Sequence, residues 1–305
     1  MRSSEGEAGS AAWIRRDVPA ELLTLLESGL GASQLRSVLS EVARARAAAT
    51  RPVDVLARWR QDRFVRPATA DPRQLAALEV RLWEALPETF RGVELSPVAP
   101  LATASAVGPV SQRRVVSTMR LTEVVSDSTN ALAVEAADRR TQQRFGGEVH
   151  LAAVQRQLRA QDFGPGRDAH FRLLSLVSSA RDRGSGRTEA ALLVTQLRAW
   201  QALLARSVPE RAPRLEITVW DAGAVAERVI DTVLPAVEND AVPVVVDPGR
   251  ERGRGYYDGV ALRVTLDGGT TEVGDGGLTS WTAQMMADRK ERCLVSCVAT
   301  ERLLA

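Results

Sequence analysis

The stretch that decides the fold runs Arg252-Gly253-Arg254-Gly255-Tyr256-Tyr257 and continues through Val260, Leu262, Val264 and Leu266 at alternate positions. Apolar residues at a spacing of two put one face of an extended strand into a core. Asp267-Gly268-Gly269 is turn chemistry, and Thr271 and Val273 resume the alternation, so a β-hairpin follows the tyrosine pair directly. Tyr256 and Tyr257 are the only two tyrosines of the chain.

Outward from this hairpin, the pattern changes several times between periods of two and of about 3.6. Upstream, Leu215, Ile217 and Val219 alternate as a strand, and Val225, Val229 and Val233 form a helical stripe. The segment from about Thr188 to Ala205 carries Leu193, Leu197, Trp200 and Leu204 on one helical face. Val149 to Leu158 and Phe171 to Val177 predict a second antiparallel hairpin, joined by a basic loop containing Gly164-Pro165-Gly166-Arg167. A helix is expected over Asn130 to Arg140, with strands at Val93–Leu95 and Arg114–Met119. Asp71-Pro72 starts another helix through Leu75, Leu78, Leu82 and Leu86, with Asp as N-cap and Pro at the first helical position. Pro19 to Ala48 reads as helical, and residues 1–12 lack periodicity and are expected to be disordered. Downstream, an apolar strand from Cys293 to Val298 feeds a helix beginning Thr300-Glu301-Arg302. Antiparallel strands flanked by helices imply an α+β fold, an antiparallel sheet with an N-terminal helical extension. The boundaries expected are 1–70 for tail and extension and 71–305 for the main domain.

Composition narrows the function classes. Forty basic and 38 acidic residues give a net charge of +2, without the basic excess of a typical nucleic-acid binder. Lys290 is the single lysine, which leaves Schiff-base chemistry one residue to rest on. Two cysteines cannot build a disulfide framework, and two histidines suggest no metal cluster. No apolar run approaches the roughly 18 residues of a membrane span, and the polar start has no signal-peptide core. A cytoplasmic, membrane-free protein is expected.

The block Arg252-Gly253-Arg254-Gly255-Tyr256-Tyr257 resembles the Arg-Gly-x-Asp-Tyr-Tyr block of histidyl-tRNA synthetases, with Gly255 in place of the aspartate. Other blocks follow in the order of the class II aminoacyl-tRNA synthetase core. Leu95-Ser96-Pro97 resembles motif 1. Leu158-Arg159-Ala160-Gln161, with His170-Phe171-Arg172-Leu173-Leu174 after the loop, resembles motif 2. Thr300-Glu301-Arg302-Leu303-Leu304 resembles motif 3. The resemblance covers about residues 75–305, with no anticodon-binding domain expected after motif 3.

The resemblance implies catalytic roles for Arg159, at the α-phosphate, and Arg252, at the activated carboxyl. It implies ATP contacts from Arg159, Gln161, His170, Phe171, Arg172, Glu301 and Arg302, with Mg2+ on the polyphosphate. Glu135 would bind the substrate amino group, and Tyr256 and Tyr257 would line the pocket. It further implies a homodimer through Leu95–Pro100 and Leu101, and an amino acid or related carboxylate as substrate. The acyl acceptor would be a small amine, a carrier protein or a tRNA. The chain departs from the pattern at Gln161, where an acid is usual, at Leu174, in the place of a stacking aromatic, and at Leu176, in the place of a glutamine. Gly274–Thr279 also lacks the expected Tyr-Asp, so histidine is not expected as substrate. Two functions stay open: ATP-dependent adenylation, and a non-catalytic regulatory subunit similar to that of ATP phosphoribosyltransferase.

Overall fold

The structure is a computed structural model describing residues 14, 16–142, 147–161, 164 and 168–304. The expected disordered stretch 1–12 and loop residues 165–167 lie outside the described residues. The chain divides into two compact units: the residues up to Gln61 with Ser117–Thr122, and Asp62–Val116 with Glu123 onward.

In the first unit, the helical pattern of Pro19–Ala48 is interrupted. Helix α1 (Ala20–Thr24) passes into a π turn over Leu25–Gly29, and Leu30-Gly31 separates it from α2 (Ala32–Ala48). Helix α3 (Pro52–Gln61) follows.

The second unit is built on an eight-stranded sheet. Its strands are β1 (Arg91–Gly92), β4 (Val149–Leu158), β5 (His170–Arg181), β6 (Arg214–Val219), β7 (Val244–Val246), β8 (Val260–Leu266), β9 (Thr271–Thr279) and β10 (Glu291–Ala299). The short β2 (Val98–Pro100) and β3 (Thr122–Val124) lie outside it. The sheet order is β1-β4-β5-β10-β9-β8-β6-β7. The edge pairs β1–β4 and β6–β7 are parallel and the inner pairs antiparallel. Both hairpins expected from the alternation, β4–β5 and β8–β9, are present. The helices are α4 (Pro72–Ala85), α5 (Ser128–Gln142), α6 (Arg187–Ser207), α7 (Ala224–Arg228), α8 (Leu234–Ala236), α9 (Trp281–Met285) and α10 (Thr300–Leu304). Asp71 caps α4 as expected, its carboxylate accepting from the Arg73 amide at 2.8 Å.

Two expected strands do not form. The chain at Val93–Leu95 leaves the sheet after β1, with one further bond from the Val93 amide to the Ala152 carbonyl at 2.8 Å. Gln112–Arg114 is a 3-10 turn, and Arg114–Met119 holds only a bridge position at Ser117, with backbone bonds from the Val124 amide to the Val116 carbonyl at 2.8 Å, from the Thr118 amide to the Thr122 carbonyl at 2.7 Å and from the Ala160 amide to the Arg114 carbonyl at 2.9 Å. Short apolar runs do not reveal whether a partner strand lies beside them.

The sheet separates two cores. On one face, Leu174, Leu176, Leu294 and Val298 pack with Leu78 and Leu82 of α4 and Leu193, Leu197, Trp200 and Leu204 of α6. On the other, Leu151, Ala153, Val177 and Val295 pack with Leu132, Ala133 and Ala136 of α5, Trp281 of α9 and Tyr257. Burying polar groups requires partners. Accordingly the Trp200 indole donates to the Ser296 hydroxyl at 2.8 Å, and Gln196 donates to Ser178 and the Leu294 carbonyl at 3.0 and 2.9 Å.

Candidate functional site

Strand alternation decides which side chains can meet. On β4 and β5, Gln157, Phe171, Leu173 and Ser175 share the face covered by α5, whereas Arg172, Leu174 and Leu176 share the face covered by α6. Leu174 and Leu176 are therefore core residues of the opposite layer, which corrects their reading as replacements for ligand-reading groups. Phe171 is the aromatic on the α5 face.

Arg159 continues β4, its amide bonded to the Ala169 carbonyl at 2.9 Å. Its guanidinium sits 5.2 Å from the Phe171 ring centroid. Nε donates to the Ser126 carbonyl at 2.8 Å, and a terminal nitrogen meets the Asp127 carboxylate at 3.1 Å. The other Asp127 oxygen accepts from the Thr129 amide and hydroxyl at 3.0 and 2.7 Å, capping α5. Asp127 is thus fixed between an arginine and a helix start.

The tyrosines lie on the same face. Gly253, at φ +93°, supplies the left-handed conformation that brings the chain back over Tyr257, whose ring carbon stands 3.0 Å from where a Cβ would lie. The Tyr257 ring also fills the space a side chain at Gly277 would need, with Cγ at 2.5 Å from an added Cβ. Tyr256 stands edge-on to Tyr257 and Trp281, at centroid distances of 4.8 and 5.9 Å. Burial pushes both phenols well above their ordinary range, and nearby negative charge, Asp127 and Asp275 included, adds to the rise. Both stay neutral hydrogen-bonding groups.

Asp275 completes the cluster. It faces Cys297 across the β9–β10 ladder, the thiol 3.9 Å from its carboxylate. Burial raises the Asp275 pKa and the charge of Asp127 raises it further, with Arg250 and Arg252 opposing. Burial, followed by Asp275, also pushes the Cys297 thiol well up, so it is not a thiolate nucleophile.

Two of the three arginines before the tyrosines, Arg250 and Arg252, have different fates. Arg252 is 72% exposed and pairs with Glu272 at 2.8 Å. Arg250 is buried: Nε donates to the Arg252 carbonyl at 2.8 Å and a terminal nitrogen to the Leu262 carbonyl at 2.7 Å. Its other terminal nitrogen lies 3.9 Å from Asp275 and has no hydrogen-bond partner among the described residues. The arginine buried beside the acid is Arg250. Residue type does not distinguish two arginines two positions apart.

The remaining expected site residues fall into separate groups, of which His170, Arg172 and Glu301 are linked through Arg156 and the Arg172 amide. His170 donates through Nε2 to the Arg66 carbonyl at 2.6 Å, while Nδ1 accepts from Arg156 at 3.0 Å. Arg172 pairs with Glu79 at 2.6 Å, and its amide donates to Glu301 at 2.7 Å. Glu301 also meets Arg156 at 3.2 Å, and by strand alternation Arg156 and Arg172 share the face opposite Phe171. Arg302 donates to the Glu272 carbonyl at 3.0 Å. Gln161 is exposed, its carbonyl accepting from Arg63 at 2.7 Å. Glu135 forms a half-exposed i,i+4 pair with Arg139 at 2.8 Å, whereas Asp127 is the α5-side carboxylate whose charge reaches both tyrosines. Sequence reading missed Asp127 and Arg250. An Asp directly before Ser128-Thr129 and a helix is an N-cap signal that marks Asp127.

No family model and no curated protein sequence matches the chain. Solved structures do. An ATP phosphoribosyltransferase regulatory subunit/histidyl-tRNA synthetase from Bacillus halodurans aligns with a TM-score of 0.61 at 11% identity, over 79% of this chain and 81% of that one. The chain has the class II aminoacyl-tRNA synthetase-like fold. A histidine–tRNA ligase subunit from Alicyclobacillus acidocaldarius aligns onto this synthetase-like fold at 0.58, with 14% identity over 79% and 96%. A pyrrolysyl-tRNA synthetase from Desulfitobacterium hafniense aligns at 0.50, with 14% identity over 82% and 72%. Among the described residues no helix is long and apolar enough to cross a membrane.

A protonation test applies to this site. Folded Asp275 holds its proton more tightly than the unfolded chain, so unfolding releases a proton at pH values between the ordinary carboxylate range and the raised one. Its contribution to stability therefore falls as pH rises through that window. Asp275→Asn should stabilise the protein at neutral pH and make no difference below the ordinary carboxylate range. Urea melts of both proteins at several pH values check the sign.

Proposed function

We propose that this chain is a non-catalytic, synthetase-like binding module that takes up a small ligand of the α-amino acid class. The carrying observation is the cluster of Asp127, Asp275, Tyr256 and Arg250 on one face of the sheet. Two carboxylates and a neutral phenol suit an ammonium group, and the terminal nitrogen of Arg250, 3.9 Å from Asp275 and without a hydrogen-bond partner among the described residues, suits a carboxylate. The distribution of arginines supports a binding role over a catalytic one. Arg159, Arg172 and Arg252 are each paired with a carboxylate of the chain itself, and the groups expected to hold ATP lie on both faces of the sheet.

Titration calorimetry across the amino acids should find at least one that binds. Asp127→Asn and Arg250→Gln should each weaken that binding about tenfold or more. Each removes a charged hydrogen bond of about 1.5–3 kcal/mol, and about 1.4 kcal/mol is a factor of ten. Amino-acid-dependent pyrophosphate exchange with ATP and Mg2+ would overturn this reading in favour of adenylation. That second reading has its own support in the Arg159–Phe171 stack, a platform of the kind that holds a planar base.

The same reading includes a homodimer through the segment Leu95–Pro100. Val98 and Leu101 are exposed, at 37% and 42%, and suit a self-complementary contact. Sedimentation should give the dimer mass at micromolar concentration, and Val98→Glu should shift it to the monomer.

A further inference from the structure

A cavity of about 920 Å³ opens at the far end of the sheet, where β9 ends and β10 begins. Thr279 and Cys293 line it, four residues along β9 and β10 from Asp275 and Cys297, or about 13 Å at 3.3 Å per residue. Its volume is in the range of small-molecule sites. Val219, Val225, Val260 and Leu278 form an apolar wall.

Four acids line the same cavity. Asp221 and Asp258 are exposed, and Glu189 is 8% exposed. One Glu189 oxygen accepts from Arg292 at 2.6 Å, and Arg292 is shared with Asp182 at 2.8 Å. The other Glu189 oxygen is buried and has no hydrogen-bond partner among the described residues. A buried carboxylate oxygen without a donor is costly to leave unmet. Of the remaining lining cations, Arg289 is exposed, and the fourth acid, Glu291, is held by Arg140 at 2.8 Å.

We infer that this cavity is a second ligand site, for a small molecule with an apolar body and a positively charged nitrogen that bonds Glu189. The aliphatic wall takes the body, and Asp221 and Asp258 draw the cation inward. The inference does not depend on the amino-acid reading of the first site.

Isoamylamine is a suitable probe, with isoamyl alcohol as its neutral counterpart. Both are titrated by calorimetry into the Asp127→Asn protein, so that the first site does not compete. The amine should bind at least tenfold more tightly than the alcohol. Glu189→Gln should remove most of that difference, and Ala283→Phe, which fills the cavity from α9, should abolish binding with Glu189 and Arg292 both retained. The Ala283 variant keeps the test decisive if loss of the Arg292 pair unfolds the Glu189 variant. No binding of the amine, equal binding of the alcohol, or amine binding unchanged in the Ala283 variant would each overturn the site.

Discussion

Arg140→Leu is expected to lower the free energy of unfolding by about 3–5 kcal/mol, the usual cost of leaving one member of a buried ion pair alone. Arg140 reaches from α5 to the start of β10 and grips Glu291 with two hydrogen bonds of 3.0 and 2.8 Å. The side chains are 3% and 1% exposed. The same guanidinium donates to the Gly147 carbonyl ahead of β4, so one side chain ties α5, β4 and β10 together. The double variant Arg140→Leu, Glu291→Leu should recover most of the loss, because no charge is then stranded. Equilibrium denaturation of the two single variants and the double variant gives the coupling directly. A single-variant loss below about 1 kcal/mol would show that water reaches the pair.

Gly277→Ala is expected to destabilise the protein by about 1–3 kcal/mol, the range for overpacking a filled core. An added Cβ would lie 2.5 Å from both Tyr257 Cγ and the Val260 carbonyl. The ring cannot retreat freely, because Tyr256 packs edge-on against it and Trp281 stands behind Tyr256. The expected signature is specific: near-UV circular dichroism from the aromatic cluster should change along with the denaturation midpoint. Gly268→Ala is a useful contrast. A Cβ there meets nothing, so any cost comes from its φ of +68° and should leave the aromatic signal intact.

Sequence alone determined the elements whose signals are local. The alternation of Val260 to Leu266 and the Asp267-Gly268-Gly269 turn specify β8 and β9, because a half-buried strand and its turn are written in adjacent residues. The Asp71-Pro72 start of α4 and the stripe of α6 were legible for the same reason. The order of blocks carried the synthetase-like architecture, and the placement of Tyr256 and Tyr257 immediately before the hairpin followed from it. Tertiary structure decided everything that depends on a partner distant in the chain. Val93–Leu95 and Arg114–Met119 have strand-like composition, but the sheet edge beside β4 accepts only Arg91–Gly92 in register. Alternation shows that Leu174 and Leu176 share a face, but not that this face meets α6 rather than the ligand cluster. Arg250 and Arg252 are the same residue type, and only the fold buries one beneath β8 while the other pairs with Glu272 in solvent. The physical reason is common to all three. Periodicity is set within a few residues, whereas the burial, charge and hydrogen-bond partners that define a site are supplied by segments up to a hundred or more residues away.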